Sequence, residues 1–308
     1  MTKTRVILIT GADGTLGSAA TVACCARGDR VIALGRRKVI PAWLPSGAVY
    51  ATADIRDESR LAEIMTENSV DSVFHFASLK NVGESERIPL EYCSVNIDGT
   101  RAVLSAMKAA GVQHIVFAST WAVYASCTPV AQLNESSPVG PASTYALTKL
   151  LGERFIQEYA EKKWISDFQI LRLANLVGPA PSASGVNTFL DIALDAARKG
   201  KPITLSGIHH PTSDGSMARD FVDIRDVLRL MQLLPGAPSG TFNVGSGKAT
   251  TLKQVIAAVE EVTDTKVSLV VQESTPGALA SVVVESALAK KMFGWEPSVG
   301  LLDSIRAL

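Results

Sequence analysis

The chain has 308 residues, 47% of them hydrophobic and 19% charged. That is enough for a full core and, near the size at which single cores stop growing, for two lobes. Its 30 basic and 30 acidic residues cancel to a formal net charge of zero, which points away from nucleic acid and anionic membranes as partners and toward small molecules.

In chain order, Arg5 to Thr10 is an apolar, β-branched run that stops at Gly11, with Val6 to Ile9 too short for a signal segment. Leu16 to Arg27 has helical spacing and Arg30 to Leu34 is a second apolar run, giving strand, helix, strand. The alternation continues through a strand at Val70 to Phe76, a long helix at Pro89 to Gly111, a strand at His114 to Ser119, a helix at Tyr145 to Lys162 and a strand at Asp167 to Leu173. Such spacing predicts a doubly wound, Rossmann-like parallel sheet with helices on both faces. After Asn175 come a loop around Pro179 to Gly185, a helix at Asn187 to Lys199, a polar stretch at His209 to Ser216, a helix at Asp226 to Leu234, a short strand at Thr241 to Val244, a helix at Leu252 to Val262 and a strand at Lys266 to Val271. We therefore expect a dinucleotide-binding domain over 1–175, a smaller α/β substrate lobe over 176–308, and a segment at 220–235 that crosses back to the first. No run reaches a membrane span, and the spacing of Cys24, Cys25, Cys93 and Cys127 fits neither a metal site nor a disulfide frame. A reducing, cytoplasmic setting is expected.

The chemistry concentrates at two places. Gly11, Gly14 and Gly17 fall between a predicted strand and a predicted helix, where small residues let backbone N–H groups and a positive helix end approach a pyrophosphate. If Tyr145 opens a helix, Lys149 lies one turn further on the same face. The usual tyrosine pKa of about 10 is too high for a base at neutral pH, and a neighbouring cation draws it down. The same pair also fits an ordinary helix face, and only the rest of the chain separates the two readings. At the end of the second strand, where an acidic residue marks NAD and an arginine welcomes the 2′-phosphate of NADP, stand Gly35, Arg36 and Arg37. They read either as a solvated basic turn or as a preference for NADP.

These motifs resemble the extended short-chain dehydrogenase/reductases and, within the NAD-dependent epimerase/dehydratase family, most resemble UDP-glucose 4-epimerases. The likeness is carried by Thr10 to Gly17, by Phe76 to Ser85, by Asn96 with Gly99-Thr100, by Ser119-Thr120 ahead of Val123-Tyr124, by Tyr145 with Lys149, by Arg172 to Gly178, and by Pro211 to Gly215 leading to Arg219-Asp220-Phe221. The resemblance implies Tyr145 as the base, Lys149 as the ligand of the nicotinamide ribose, and Thr120 as the hydroxyl facing the reacting sugar oxygen. It places Gly11, Asp13, Gly14, Thr15, Leu16 and Gly17 against the cofactor, with Arg36, Arg37, Asp54 and Ile55 near its adenosine end. Phe76, Ala77, Ser78, Lys80 and Asn96 complete that set, and Lys80, Thr120, Asn175, Asn187 and Arg219 would face a nucleotide-sugar. A cytoplasmic homodimer formed through the two long helices is also implied.

Three departures stand out. Where these epimerases carry R-x-G-D to hold the diphosphate, this chain has Thr275-Pro276-Gly277-Ala278, and a downstream acidic position carries Glu285. Val282 stands where the family places a bulkier residue, which reads first as an ordinary strand valine and otherwise as room at the sugar for a substituent such as an N-acetyl group. Trp121-Ala122 follow Thr120 where dehydratases carry an acidic pair, which argues against dehydration. The adjacent His209 and His210 lack a third ligand and do not make a metal site. The alternatives to epimerisation are an NADP-dependent reductase of a sugar or secondary-metabolite ketone and a cofactor-binding sensor that no longer turns over.

Overall fold

The computed structural model describes residues 4–125, 130–182, 188–206, 212–272 and 280–308. The first strand, β1 (Val6–Thr10), is followed by helix α1 (Thr15–Ala26), β2 (Arg30–Gly35), β3 (Ala48–Thr52), helix α2 (Glu58–Glu67), β4 (Ser72–His75) and β5 (His114–Thr120). With strands Asp167–Leu173 and Gly240–Val244 they form a seven-stranded sheet in the order Gly240–Val244, Asp167–Leu173, β5, β4, β1, β2, β3. Every pairing in it is parallel. The order reverses between β1 and β4, the switch point outside which open α/β sheets bind ligands.

Both faces of the sheet are covered, as continuous apolar strands require. Leu16, Ala19 and Ala20 of α1 and Val227, Leu230 and Met231 of helix Ile224–Leu233 pack on one face. Leu61, Ile64, Met65, Val103, Met107 and Ile156 cover the other. The return to the first lobe extends beyond 220–235, because Gly240–Val244 is an edge strand of the main sheet and helix Ala287–Phe293 packs on it through Ala289 and Phe293. A separate core holds the smaller lobe together: Leu190, Ala193 and Leu194 of helix Phe189–Lys199 meet Val255, Ile256 and Val259 of helix Leu252–Thr263. Both helices open with a threonine capping box, Thr188 with Asp191 and Thr251 with Gln254.

The expected long helix over Pro89 to Gly111 is there, but it widens to a π-helical turn at Cys93–Asp98 before resuming at Gly99–Ala110. Buried Asn96 sits in that turn. Cys24, Cys25 and Cys93 are free thiols, and burial pushes Cys24 up to about 12, leaving it an inert packing group. Among the described residues no helix is long and apolar enough to cross a membrane.

Candidate active site

A cleft of about 1280 Å³ runs along the carboxyl ends of the strands, and Gly11, Asp13, Gly14, Thr15, Leu16 and Gly17 form one wall. It exceeds the roughly 300–1,000 Å³ usual for one small ligand, so it has room for two ligands end to end. At Gly17 a Cβ would stand 2.1 Å from the Gly11 carbonyl oxygen, so only glycine lets α1 start this close to the loop. The first turn of α1 has neither a side-chain cap nor an acidic residue. Its N–H groups and the positive helix end therefore remain available to an anion, which fits the pyrophosphate of a dinucleotide.

The crevice between β1 and β4 is held by a chain of small polar groups. Thr10 Oγ1 meets His75 Nδ1 at 2.7 Å and accepts from the Phe76 and Ala77 N–H groups at 3.2 Å each. His75 Nε2 lies 3.0 Å from Thr100 Oγ1, and burial drives His75 down to about 3, so it serves as a neutral spacer. Phe76, Ala77, Ser78 and Lys80 line the cleft beyond this clamp. Asn96 does not line it. Its amide accepts from Leu79 N at 2.8 Å and donates to Leu79 O and Thr148 Oγ1 at 2.9 Å each. Asn96 thus positions the chain at Leu79 and Thr148, with both amide hydrogens engaged and one Oδ1 lone pair left over.

Thr120 ends β5, and Tyr145 and Lys149 lie one turn apart on helix Thr144–Glu161, all three facing the cleft. The first turn of that helix is fully capped: Ala146 N–H donates to Ser143 Oγ, Tyr145 N–H to Ser85 Oγ at 3.1 Å, and Thr144 N–H to Glu86 Oε1 at 2.8 Å. The segment Lys80 to Glu86 therefore does structural work for the tyrosine. Asn81 caps helix Val82–Arg87, and the Tyr92 hydroxyl binds both peptide groups of Asn81 and reaches Glu84 at 2.8 Å.

The electrostatics differ from the sequence expectation. Burial raises Tyr145 to about 12, with only a hydrogen bond from Thr120 acting to lower it. Burial also pulls Lys149 down to about 7, against the opposing pull of Glu153. The Lys149 ammonium lies 4.3 Å from the Phe117 ring centroid, where a cation–π contact recovers part of its lost hydration. In the cofactor-free protein burial, rather than Lys149, sets the direction of the Tyr145 shift.

Beneath this set, Glu153 and Arg172 form a buried pair at 2.6 Å, joined by Ser119, which donates to the same carboxylate, and by Tyr124, whose ring lies 4.7 Å from the guanidinium carbon. The pair ties helix Thr144–Glu161 to β5 and to strand Asp167–Leu173. Replacing Glu153 by Gln leaves Arg172 charged and unmatched. Urea unfolding should show a loss of about 3–5 kcal/mol, whereas replacing both residues with methionine should cost much less.

Asp54 and Ile55 line the cleft near Arg36 and Arg37. Arg37 Nε stands 3.2 Å from Asp13 Oδ1, so the charge expected to welcome a 2′-phosphate is already matched by a carboxylate. Asn175 lines the cleft and donates to Asp220 O at 2.9 Å. Arg219 lies off the cleft wall. Its guanidinium bonds Ala218 O at 2.7 Å and reaches Met217 Sδ at 3.4 Å, and burial lowers its pKa. Val282 is the ordinary strand valine of its two readings, buried in the core on strand Ser281–Val284. Glu285 is likewise off the cleft, its N–H donating to Leu133 O. Asn187, His209, His210 and Thr275 to Ala278 lie outside the described residues. Sequence reasoning missed Asp191, Ser182 and Tyr50. Asp191 lines the cleft beside Lys80, whose lowered pKa it opposes. Ser182 Oγ donates to Asp13 O at 2.7 Å, and Tyr50 bonds the Asp13 carboxylate. Only the capping pattern Thr188-x-x-Asp191 gave a local signal for any of them.

Residues 7–245 match the model of the NAD dependent epimerase/dehydratase family. The chain belongs to that family. It is 31% identical to a UDP-glucose 4-epimerase of Halalkalibacterium halodurans over 97% of this chain and 92% of that one. Among solved structures it is similar to the UDP-glucose 4-epimerase of Stenotrophomonas maltophila with bound NAD and formylated UDP-arabinopyranose, with a TM-score of 0.89 and 30% identity over 98% of this chain and 96% of that one. It is also similar to the Thermotoga maritima UDP-glucose 4-epimerase with UDP-glucose, with a TM-score of 0.89 and 26% identity over the same shares. The family places this chain among nicotinamide-dependent enzymes.

Proposed function

We propose that this chain is a 4-epimerase of a nucleoside-diphosphate hexose, most directly a UDP-hexose, working through transient oxidation at C4 with bound NAD. The observation that carries the reading is the convergence of Thr120, Tyr145 and Lys149 on the cleft that also receives the glycine loop. Residues 1–175 hold the dinucleotide, and the segments of 176–308 outside the main sheet form the substrate lobe. Lys80, Thr120 and Asn175 face the sugar nucleotide, and Arg219 backs that lobe.

Bound NAD supplies the hydride acceptor and returns the hydride. The chain's own part is proton transfer and positioning. Tyr145 takes the proton of the C4 hydroxyl while Thr120 holds the same oxygen, leaving a 4-keto sugar. The ketone turns within the wide cleft, and Tyr145 gives the proton back on the return step, so the net result is inversion without net oxidation. Positioning through two transfers matters more than any single group, and the Glu153–Arg172 pair and the capped helix supply the rigidity for it.

A homodimer through the helical stretch from Pro89 to Ala110 and helix Thr144–Glu161 is part of this reading. Exposed apolar Leu90 and Leu147 on those elements support it. The free thiols of Cys24, Cys25 and Cys93 fit a cytoplasmic setting.

The test is incubation of the purified protein with UDP-glucose, UDP-galactose and their N-acetyl forms, with and without added NAD, followed by separation of products. Conversion of a sugar to its 4-epimer with no net change in NADH absorbance is expected. No conversion, together with NADPH consumption when a keto-sugar is offered, would replace the epimerase with a reductase.

A further inference from the structure

We propose that Asp13 on the glycine loop, and not a residue at the end of β2, is the carboxylate that receives the adenosine ribose 2′-hydroxyl and makes this chain select NAD over NADP. The proposal rests on the dinucleotide reading of the cleft. In doubly wound folds the acidic residue that bonds this hydroxyl comes about 20 residues after the glycine loop, at the end of the second strand. Here that place is Gly35, followed by two arginines.

The structure gives a reason for the glycine. A Cβ on Gly35 would stand 2.1 Å from Asp13 Oδ2 and 2.2 Å from the Tyr50 hydroxyl oxygen. The volume a β2 side chain would need is already filled by the Asp13 carboxylate, so Gly35 and Asp13 are complementary.

That carboxylate is held from the side away from the glycine loop. The Tyr50 hydroxyl, on β3, donates to Asp13 Oδ2 at 2.7 Å and itself accepts the Arg37 N–H at 3.2 Å. Oδ1 is buried and has no aligned hydrogen-bond donor. Arg37 Nε is 3.2 Å from it, close enough for an ion pair but poorly directed, and the Arg37 side chain is 59% exposed. Asp13 lines the cleft and its side chain stays 21% exposed there, so an acceptor-only carboxylate with lone pairs to spare on the oxygen that Tyr50 holds matches a hydroxyl donor. A 2′-phosphate would set acceptor against acceptor and anion against anion, which is discrimination by repulsion. The basic turn does not offset this: Arg37 is paired with Asp13, and Arg36 faces Asp54, a carboxyl held below its ordinary value chiefly by its hydrogen bonds to Arg56 and to a small extent by Arg36.

The experiment titrates the full-length, cofactor-stripped protein with NADH and NADPH, following nicotinamide fluorescence. The wild type should bind NADH at least about tenfold tighter, the order expected of one charge-assisted hydrogen bond. Asp13→Gly should weaken NADH by about tenfold and tighten NADPH, inverting the ratio. Adding Gly35→Asp to Asp13→Gly should restore the preference for NADH. Gly35→Asp alone should weaken both, because two side chains then compete for one volume. Tyr50→Phe keeps the ring packed and guards against a folding failure, and it should narrow the ratio. A wild type that prefers NADPH overturns the proposal, as does a ratio unmoved in both Asp13→Gly and Tyr50→Phe. A wild type that binds neither dinucleotide removes the reading of the cleft and the proposal with it. Selective NADH binding without epimerisation leaves the proposal standing and sinks only the sugar assignment.

Discussion

Tyr145→Phe should lower turnover by about 10²–10⁴-fold, the usual contribution of a positioned acid–base group, while leaving dinucleotide and sugar-nucleotide binding nearly unchanged. The phenyl ring keeps the packing of the helix start, whose caps are Ser143, Ser85 and Glu86, so the loss isolates the hydroxyl. With Tyr145 at about 12 in the cofactor-free protein, roughly one molecule in 10⁵ carries the phenolate at pH 7. The base is therefore not primed until further positive charge enters the cleft. Two checks follow. The Tyr145 phenolate band should be absent from the ultraviolet spectrum of the free protein below pH 10. In the working enzyme, kcat should rise with pH along a limb whose apparent pKa lies well below 12. A variant with wild-type turnover would move the base elsewhere, and a protein whose biological role survives Tyr145→Phe would be the sensor.

How much of this was open to sequence reading depended on whether the signal was local. The apolar runs of β1, β2, β4 and β5 are buried on both faces, and such strands read plainly as continuous hydrophobic stretches. Strand β3 is only partly buried and showed as no more than a short apolar run. Helix α2 is capped by Asp57, but its few apolar positions gave too weak a period to find it. The π-helical turn at Cys93–Asp98 breaks the 3.6-residue period, and with it the inference of what Asn96 faces. The convergence of Thr120, Tyr145 and Lys149 on one cleft was legible because Tyr145 and Lys149 share one helix face and Thr120 ends a strand. Its electrostatics were not, because desolvation depends on what the rest of the chain stacks around these groups. The surroundings of Val282 and Arg219 were not legible for the same reason: a strand residue's face and an arginine's neighbours are set by tertiary packing.

Lys149→Met should do two opposite things: reduce turnover by about 10²–10⁴-fold and raise the melting temperature of the cofactor-free protein by several degrees at pH 7. The second effect follows from linkage. The lysine sits at about 7 when folded against 10.5 in its ordinary state. Between pH 7 and pH 10.5 the unfolded chain holds a proton that the folded chain has released, so this group makes stability rise with pH across that window. Below pH 7 both states are protonated and the cost of the buried ammonium is present in full. Above pH 10.5 it vanishes. The stability gained by Lys149→Met should therefore be largest at and below pH 7 and shrink toward zero near pH 10.5. His75, a buried group that also interacts with Lys149, lies at about 3 and titrates outside this window. Parallel melting curves for wild type and variant across pH 6–11 would show that Lys149 is not held near 7. A difference that closes with rising pH would identify the lysine as a group kept at the expense of stability, which is reasonable only where its charge is needed for the reaction.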